Sequence, residues 1–99
     1  FIYILTNKSN SILYVGFTHD LYQRLKDHKL KLIENSFSAK YNLNKLIYYE
    51  ILPDRESAYQ REKQIKDWRR SWKDRLINHT NPERHDLTQK LFPDFNLTD

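Results

Sequence analysis

The 99-residue chain has no cysteine, one glycine and three prolines. Without thiols it can have no disulfides, thiolate zinc sites or cysteine nucleophiles, and nothing in it points to an oxidising compartment. No apolar run approaches the roughly 20 residues of a membrane span, and no basic-then-apolar leader precedes the first apolar segment. The expectation is a cytoplasmic protein with no membrane partner. The length suits one domain with a single core. The net charge is only +4, but residues 1–54 carry seven basic and five acidic groups, residues 55–75 eight and four, and residues 76–99 two and four, giving +2, +4 and −2. The basic segment is either a patch for a polyanion, whose binding releases counterions, or a solvated helix face.

Apolar segments come first in the chain. Phe1 to Thr6 and Ser11 to Gly16 are rich in β-branched, aromatic and leucine residues, and the polar Asn7-Lys8-Ser9-Asn10 between them can turn the chain, so the first sixteen residues read as a hairpin. An even loop centred on Lys8-Ser9 places Tyr3 directly opposite Tyr14, with both phenols on one face; a loop of odd length shifts that register. Gly16, at the strand end, either lets an anion approach closely or makes a tight turn. From about His19 to Ile33 the period becomes helical, with Thr18 as cap, Asp20 in the first turn, and Leu21, Leu25 and Leu32 as the buried stripe. Arg24 and His28, at i and i+4, project within about 60° of Leu21 and so lie on or beside the apolar face. An arginine there needs a partner, an anion or a ligand.

Residues 34–45 read as a loop, in which Lys40 and Tyr41 either contact phosphate and base or anchor the loop to the core. Leu46 to Leu52 is the third strand, ended by Pro53. Asp54 caps a second helix from about Arg55 to Arg69, whose buried side is set by Ala58, Ile65, Trp68 and Trp72. Glu62 falls on that side, as an internal ion-pair partner or a ligand for a hard divalent cation. Arg61, Lys63, Lys66, Arg69 and Arg70 spread over the flanks and back. The spacing favours the core for both tryptophans over a role as base-stacking platforms. A break near Ser71 introduces a helix from Trp72 to about Asn78, and the acidic tail carries Leu87, Leu91, Phe92, Phe95 and Leu97, which can pack across the domain.

Tyr3, Tyr14, Gly16, Arg24, His28, Glu62 and Asn78 thus stand in order on two strands and three helices. This set resembles the GIY-YIG nuclease superfamily, most of all its small stand-alone bacterial members. The strand motifs are Phe1-Ile2-Tyr3 and Tyr14-Val15-Gly16. The likeness continues through Arg24-Leu25-Lys26-Asp27-His28, Arg61-Glu62-Lys63-Gln64-Ile65-Lys66-Asp67-Trp68 and Leu76-Ile77-Asn78, covering about residues 1–78. Phe1 replaces the first motif's glycine and Val15 is a mild exchange in the second, with no catalytic atom lost.

The resemblance implies an α+β fold, a three-stranded antiparallel sheet flanked by helices, with a nuclease domain over residues 1–80 and a C-terminal tail over 81–99. It implies hydrolysis of DNA phosphodiesters in repair or recombination, on substrates that include branched and flap structures. Tyr3 would be the general base or position the attacking water, with Tyr14 in support. Arg24 would neutralise charge on the non-bridging oxygens, and His28 would orient water or phosphate or protonate the leaving group. Glu62 would hold Mg²⁺ or Mn²⁺, with Gly16 and Asn78 supporting, and Lys40, Tyr41, Arg61, Lys63, Lys66, Arg69 and Arg70 would contact DNA. A free phenol is only about one part in a thousand ionised at pH 7, so a basic Tyr3 needs Arg24 and the metal to lower its pKa. The rival class is a non-catalytic nucleic-acid-binding module built on residues 55–75. A small interaction domain that docks through its tail is a third.

Overall fold

A computed structural model describes residues 1–30 and 40–97. Strand β1 (Ile2–Thr6) is buried along its whole length because it is the central strand. Strands β2 (Leu13–Phe17) and β3 (Lys45–Glu50) pair with it antiparallel on either side, in the order β2-β1-β3. Helices α1 (Leu21–Lys29), α2 (Arg55–Lys66) and α3 (Arg70–Thr80) and a short α4 (Thr88–Leu91) complete this α+β fold. Alternation along β1 divides the core. Ile2 and Ile4 pack with Val15, Ile47, Ile65 of α2 and Ile77 of α3 on one face. Tyr3 and Leu5 pack with Leu21 and Leu25 of α1, Leu43 and Leu46 on the other. Among the described residues no helix is long and apolar enough to cross a membrane.

The hairpin register differs from the expected one. Tyr3 is opposite Gly16 and Tyr14 is opposite Leu5, so the turn centres on Ser9-Asn10. The Asn7 side chain causes this shift, since its Oδ1 accepts from the backbone N–H groups of Ser11 at 2.9 Å and Ile12 at 3.4 Å. Asn10 supplies the left-handed residue, at φ 59°, a conformation that asparagine tolerates. Each partner moved by two residues, an even number, so Tyr3 and Tyr14 still share a face. Arg70 grips this loop, donating to the carbonyls of Asn10 at 2.8 Å and Ser11 at 2.9 Å.

Helix boundaries also shift. Asp20, not Thr18, caps α1, accepting from Gln23 N–H at 3.0 Å, while Thr18 Oγ1 accepts from Asp20 N–H. The helix ends at Lys29; Leu32, Ile33 and the first part of the expected loop lie outside the described residues. Asp54 caps α2 as expected, by accepting from Ser57 N–H at 2.7 Å. The break falls at Asp67–Arg69, before Ser71: Trp68 N–H bonds to Ile65 O, tightening the last turn, and Arg69 is extended. That break resets the helical phase. Trp68 stays packed against the Ile65 cluster, but Trp72 turns outward and is 47% exposed, so it is not a core residue.

The tail covers the outer edge of β3. Leu87 N–H bonds to Leu46 O at 2.7 Å, and Asp86 accepts from Leu46 N–H, from Thr88 and from Lys29 Nζ, joining α1, β3 and the tail. Phe92 and Phe95 meet Tyr22 of α1 with ring centroids 5.3 and 5.1 Å apart, whereas Leu97 is exposed. A register shift in the β1–β3 ladder leaves Ile47 as an extra residue between Leu46 and Tyr48. Asn81, buried to 4% exposure, compensates. Its amide donates to Ile47 O at 3.1 Å and His85 O at 2.9 Å, and its Oδ1 accepts from His85 N–H. Removing a buried partner leaves polar groups unsatisfied. Asn81→Ala is therefore expected to lower unfolding free energy by about 2 kcal/mol, read as a lower urea midpoint at unchanged slope. An unchanged midpoint would mean that water replaces the amide.

Candidate active site

Three rings from three elements meet on the α1 face of the sheet. Tyr3 of β1 and Tyr14 of β2 have centroids 6.3 Å apart, and His28 of α1 lies 5.8 Å from the first and 5.7 Å from the second. Tyr3 OH is 3.3 Å from His28 Nε2. Tyr3 and His28 are 2% and 4% exposed, and Tyr14 is half-buried. Gly16 explains how the rings fit. Its backbone has no positive φ and it sits within β2, so a tight turn is not its role. A Cβ there would lie 2.5 Å from both Cζ and OH of Tyr3. The phenol lies across the one strand position without a side chain. What approaches Gly16 closely is thus Tyr3, not an external anion.

Burial dominates the electrostatics. It pushes the Tyr3 hydroxyl well above the ordinary phenol range; Tyr14 adds to the rise, Arg24 opposes it, and Glu62 adds again. The expectation that neighbouring cations lower the Tyr3 pKa is thus overturned for the protein alone: one half-exposed guanidinium does not outweigh desolvation. His28 moves the other way, to about 4, first through burial and then through Arg24, against a smaller pull from Asp27. At neutral pH the pair is therefore a protonated phenol beside a neutral imidazole. Glu62 projects from α2 with its side chain 13% exposed, and its carboxylate is held by Lys66, one turn on, at 3.1 Å. Arg24 lines a cleft of about 680 Å³ with His19, Phe17, Arg55 and Ala58. Ala58 lies one turn before Glu62, so the cleft runs between the starts of α1 and α2 on the same side as both charged groups.

The other predicted residues are placed differently. Asn78 is exposed at the end of α3 and accepts from Arg84 Nη1 at 2.6 Å, tying helix to tail. Lys40 is exposed and sits 5.4 Å over the ring of Tyr41, which packs against the α1-side core. Arg61 faces inward: it forms a bidentate pair with Glu50, at 3.0 Å from Nε and 2.8 Å from Nη2, and lies over Trp68. Its donors are committed to the fold. Arg70 is divided between the hairpin loop and Asp74. Lys63, Lys66 and Arg69 face solvent. Sequence reasoning missed Glu50 and Tyr48. The Tyr48 hydroxyl donates to Glu50 Oε2, and although burial opposes it, hydrogen bonds from Arg61 and Tyr48 hold the Glu50 carboxyl below its usual range. A glutamate ending an otherwise apolar strand was the available signal.

Two tyrosines on adjacent strands thus meet an Arg-His helix on one face of the sheet, while the helix that carries Glu62 packs on the other. The chain belongs to the GIY-YIG family, whose catalytic-domain model matches residues 1–76. It is similar to the UPF0213 protein of Clostridium perfringens, at 37% identity over 79% of this chain and 82% of that one. A UPF0213 protein of Bacillus pumilus is 33% identical over 92% of this chain and 94% of its own length. One from Syntrophus aciditrophicus is 34% identical over 85% and 94% respectively. No solved structure gives a significant match.

Two measurements test this packing. Gly16→Ala drives a methyl into the phenol and is expected to cost about 1–3 kcal/mol of stability, with a changed near-UV tyrosine signal; wild-type behaviour in both would mean that Tyr3 can move aside freely. For pH, the unfolded chain protonates His28 near 6.5 and the folded chain only near 4. The unfolded state therefore binds more protons between those values. The His28 contribution is fully present above pH 6.5 and is lost as pH falls toward 4, by about 2–3 kcal/mol. His28→Gln should flatten that part of the stability–pH curve, and an unflattened curve would mean that other groups carry it.

Proposed function

We propose that this protein is a divalent-metal-dependent endonuclease that hydrolyses DNA phosphodiester bonds, in repair or recombination. The observation that carries this reading is the Tyr3–His28 contact, with Tyr14 beside it and the charges of Arg24 and Glu62 acting on the same hydroxyl. Tyr3 enters the reaction as a phenol. His28, neutral and carrying its proton on Nδ1, accepts from Tyr3 at Nε2. As water attacks phosphorus, its proton passes to the Tyr3 oxygen while the Tyr3 proton passes to His28. The bond to the leaving oxygen then breaks, and that oxygen takes a proton from solvent. This relay keeps Tyr3 neutral, but charging His28, whose pKa is about 4, costs about 4 kcal/mol at pH 7, which the negative charge of the substrate has to offset. Arg24, with a guanidinium shaped for paired phosphate oxygens, neutralises charge that grows on the non-bridging positions.

The donor set fits a hard divalent ion. Among the described residues no group of three or more His, Asp or Glu side chains could hold a metal by itself. Mg²⁺ commonly takes one or two carboxylates and completes its shell with water and substrate phosphates. Glu62 offers that one carboxylate, and its partner Lys66 is a half-exposed side chain that can swing aside. Bound there, the ion would supply charge neutralisation at the phosphate and the leaving oxygen. Lys63, Lys66 and Arg69, outward on the basic segment, supply the non-specific attraction for the backbone.

Purified protein with Mg²⁺ or Mn²⁺ is expected to nick or cut DNA. Tyr3→Phe and Glu62→Gln should each reduce the cleavage rate by about 10²-fold or more, with unchanged far-UV circular dichroism. Cleavage that persists in both variants at the wild-type rate would remove this mechanism.

A further inference from the structure

Away from the tyrosines, the break after α2 leaves an aromatic groove on the surface. Trp68 and Trp72 meet edge to face with centroids 6.2 Å apart, and with Arg75, Leu76 and His79 they line a groove of about 450 Å³. Trp68 helps close the core, but Trp72 is 47% exposed, with the Trp68 edge and the Arg69 guanidinium against it. Cations surround it. The Arg69 guanidinium lies 5.4 Å over the Trp72 ring, and Arg75 and His79 form part of the groove wall. From Lys66 to His79 the chain carries Lys66, Arg69, Arg70, Lys73 and Arg75 against Asp67 and Asp74, and Asp74 is already paired with Arg70 and Arg84.

The occupant must accept an apolar ring on one side and positive charge on the other. A second copy of the chain fails on charge, because a two-fold contact sets a patch against itself and would bring Arg69 and Arg75 toward their own counterparts. The chain's tail fails on position, since Phe92 and Phe95 pack on α1 at the opposite face of the sheet. A nucleotide meets both demands, with a flat base for the indole and a phosphate for the guanidinium. A paired base in duplex has its faces covered by its neighbours, so the base must be unpaired.

We infer that the Trp68–Trp72 groove is a stacking site for an unpaired nucleotide of single-stranded DNA, which makes DNA with an unpaired strand the substrate class. The choice of DNA rests on the nuclease reading above; the stacking site does not. The last residue of α2, Lys66, is one turn beyond Glu62; Trp68 follows in the break and Trp72 on the next helix. A strand held at the groove and running back along α2 would pass the outward Arg69, Lys66 and Lys63.

The test is binding without cleavage. Tyr3→Phe protein in metal-free buffer is titrated against a labelled oligothymidine, a blunt duplex of equal length and an oligouridine, and the same series is run with Trp72→Ala and Trp72→Phe added. Trp72→Ala is expected to weaken oligothymidine binding about tenfold or more while leaving the duplex within about twofold. Trp72→Phe should stay within about threefold of the parent. Indole fluorescence should be quenched by oligothymidine and much less by the duplex. Equal oligothymidine affinity with and without Trp72 overturns the proposal, as does an equal loss on both DNA forms, and tighter binding of oligouridine overturns the choice of DNA. A protein that cuts nothing under any metal but shows the Trp72-dependent preference keeps this site and loses the nuclease reading.

Discussion

Everything at the candidate site depends on the Tyr3 phenol lying flat across Gly16. A side chain at position 16 would occupy the space of the Tyr3 Cζ and hydroxyl, so the ring fits only because that strand position has none. From that contact follow the burial of Tyr3, its reach to His28 Nε2 and its place beside Tyr14. In a chain of one glycine, the residue is used where the backbone must be approached most closely.

The same burial opposes proton transfer between the two rings. It disfavours charge on both partners, raising the Tyr3 hydroxyl and lowering His28, so the resting pair is neutral on each side. A neutral pair in a low-dielectric setting can exchange a proton only when an outside charge makes the ionised form worthwhile. Under the proposed nuclease reading, a phosphodiester gathering negative charge beside Arg24, with a cation at Glu62, would be such an event.

Much of this was legible in the residues, and the parts that were not share a cause. The common face of Tyr3 and Tyr14 survived a wrong register because the two-residue shift preserved parity; the pairing itself was decided by the Asn7 side chain, which a propensity argument does not weigh. Arg24 and His28 fell beside the apolar stripe by period alone, and Asp54 capped α2 where expected. Trp72 was misplaced because its side was counted in the phase of α2 although a break was expected before it; the actual break, at Asp67–Arg69, contains neither glycine nor proline and resets that phase. Asn81 could not be found from local pattern: it answers an irregularity in β3, thirty-four positions away, that exists only once the sheet is formed.

The basic segment divides by what its residues bind. Arg61 ties α2 to β3 through Glu50, and because Glu62 follows it directly, the ion pair on one flank of α2 holds the orientation of the carboxylate on the other. Arg70 ties α3 to the hairpin loop that carries β1 into β2. Both arginines, Arg61 partly buried and Arg70 exposed, join separate elements because a fork of donors can bridge two acceptors, which a lysine ammonium does less well. The residues between and beyond them, Lys63, Lys66 and Arg69, are left on the outside. A run of positive charge that looks uniform in the chain is therefore two sets: arginines that tie α2 to β3 and α3 to the hairpin loop, and residues that face solvent.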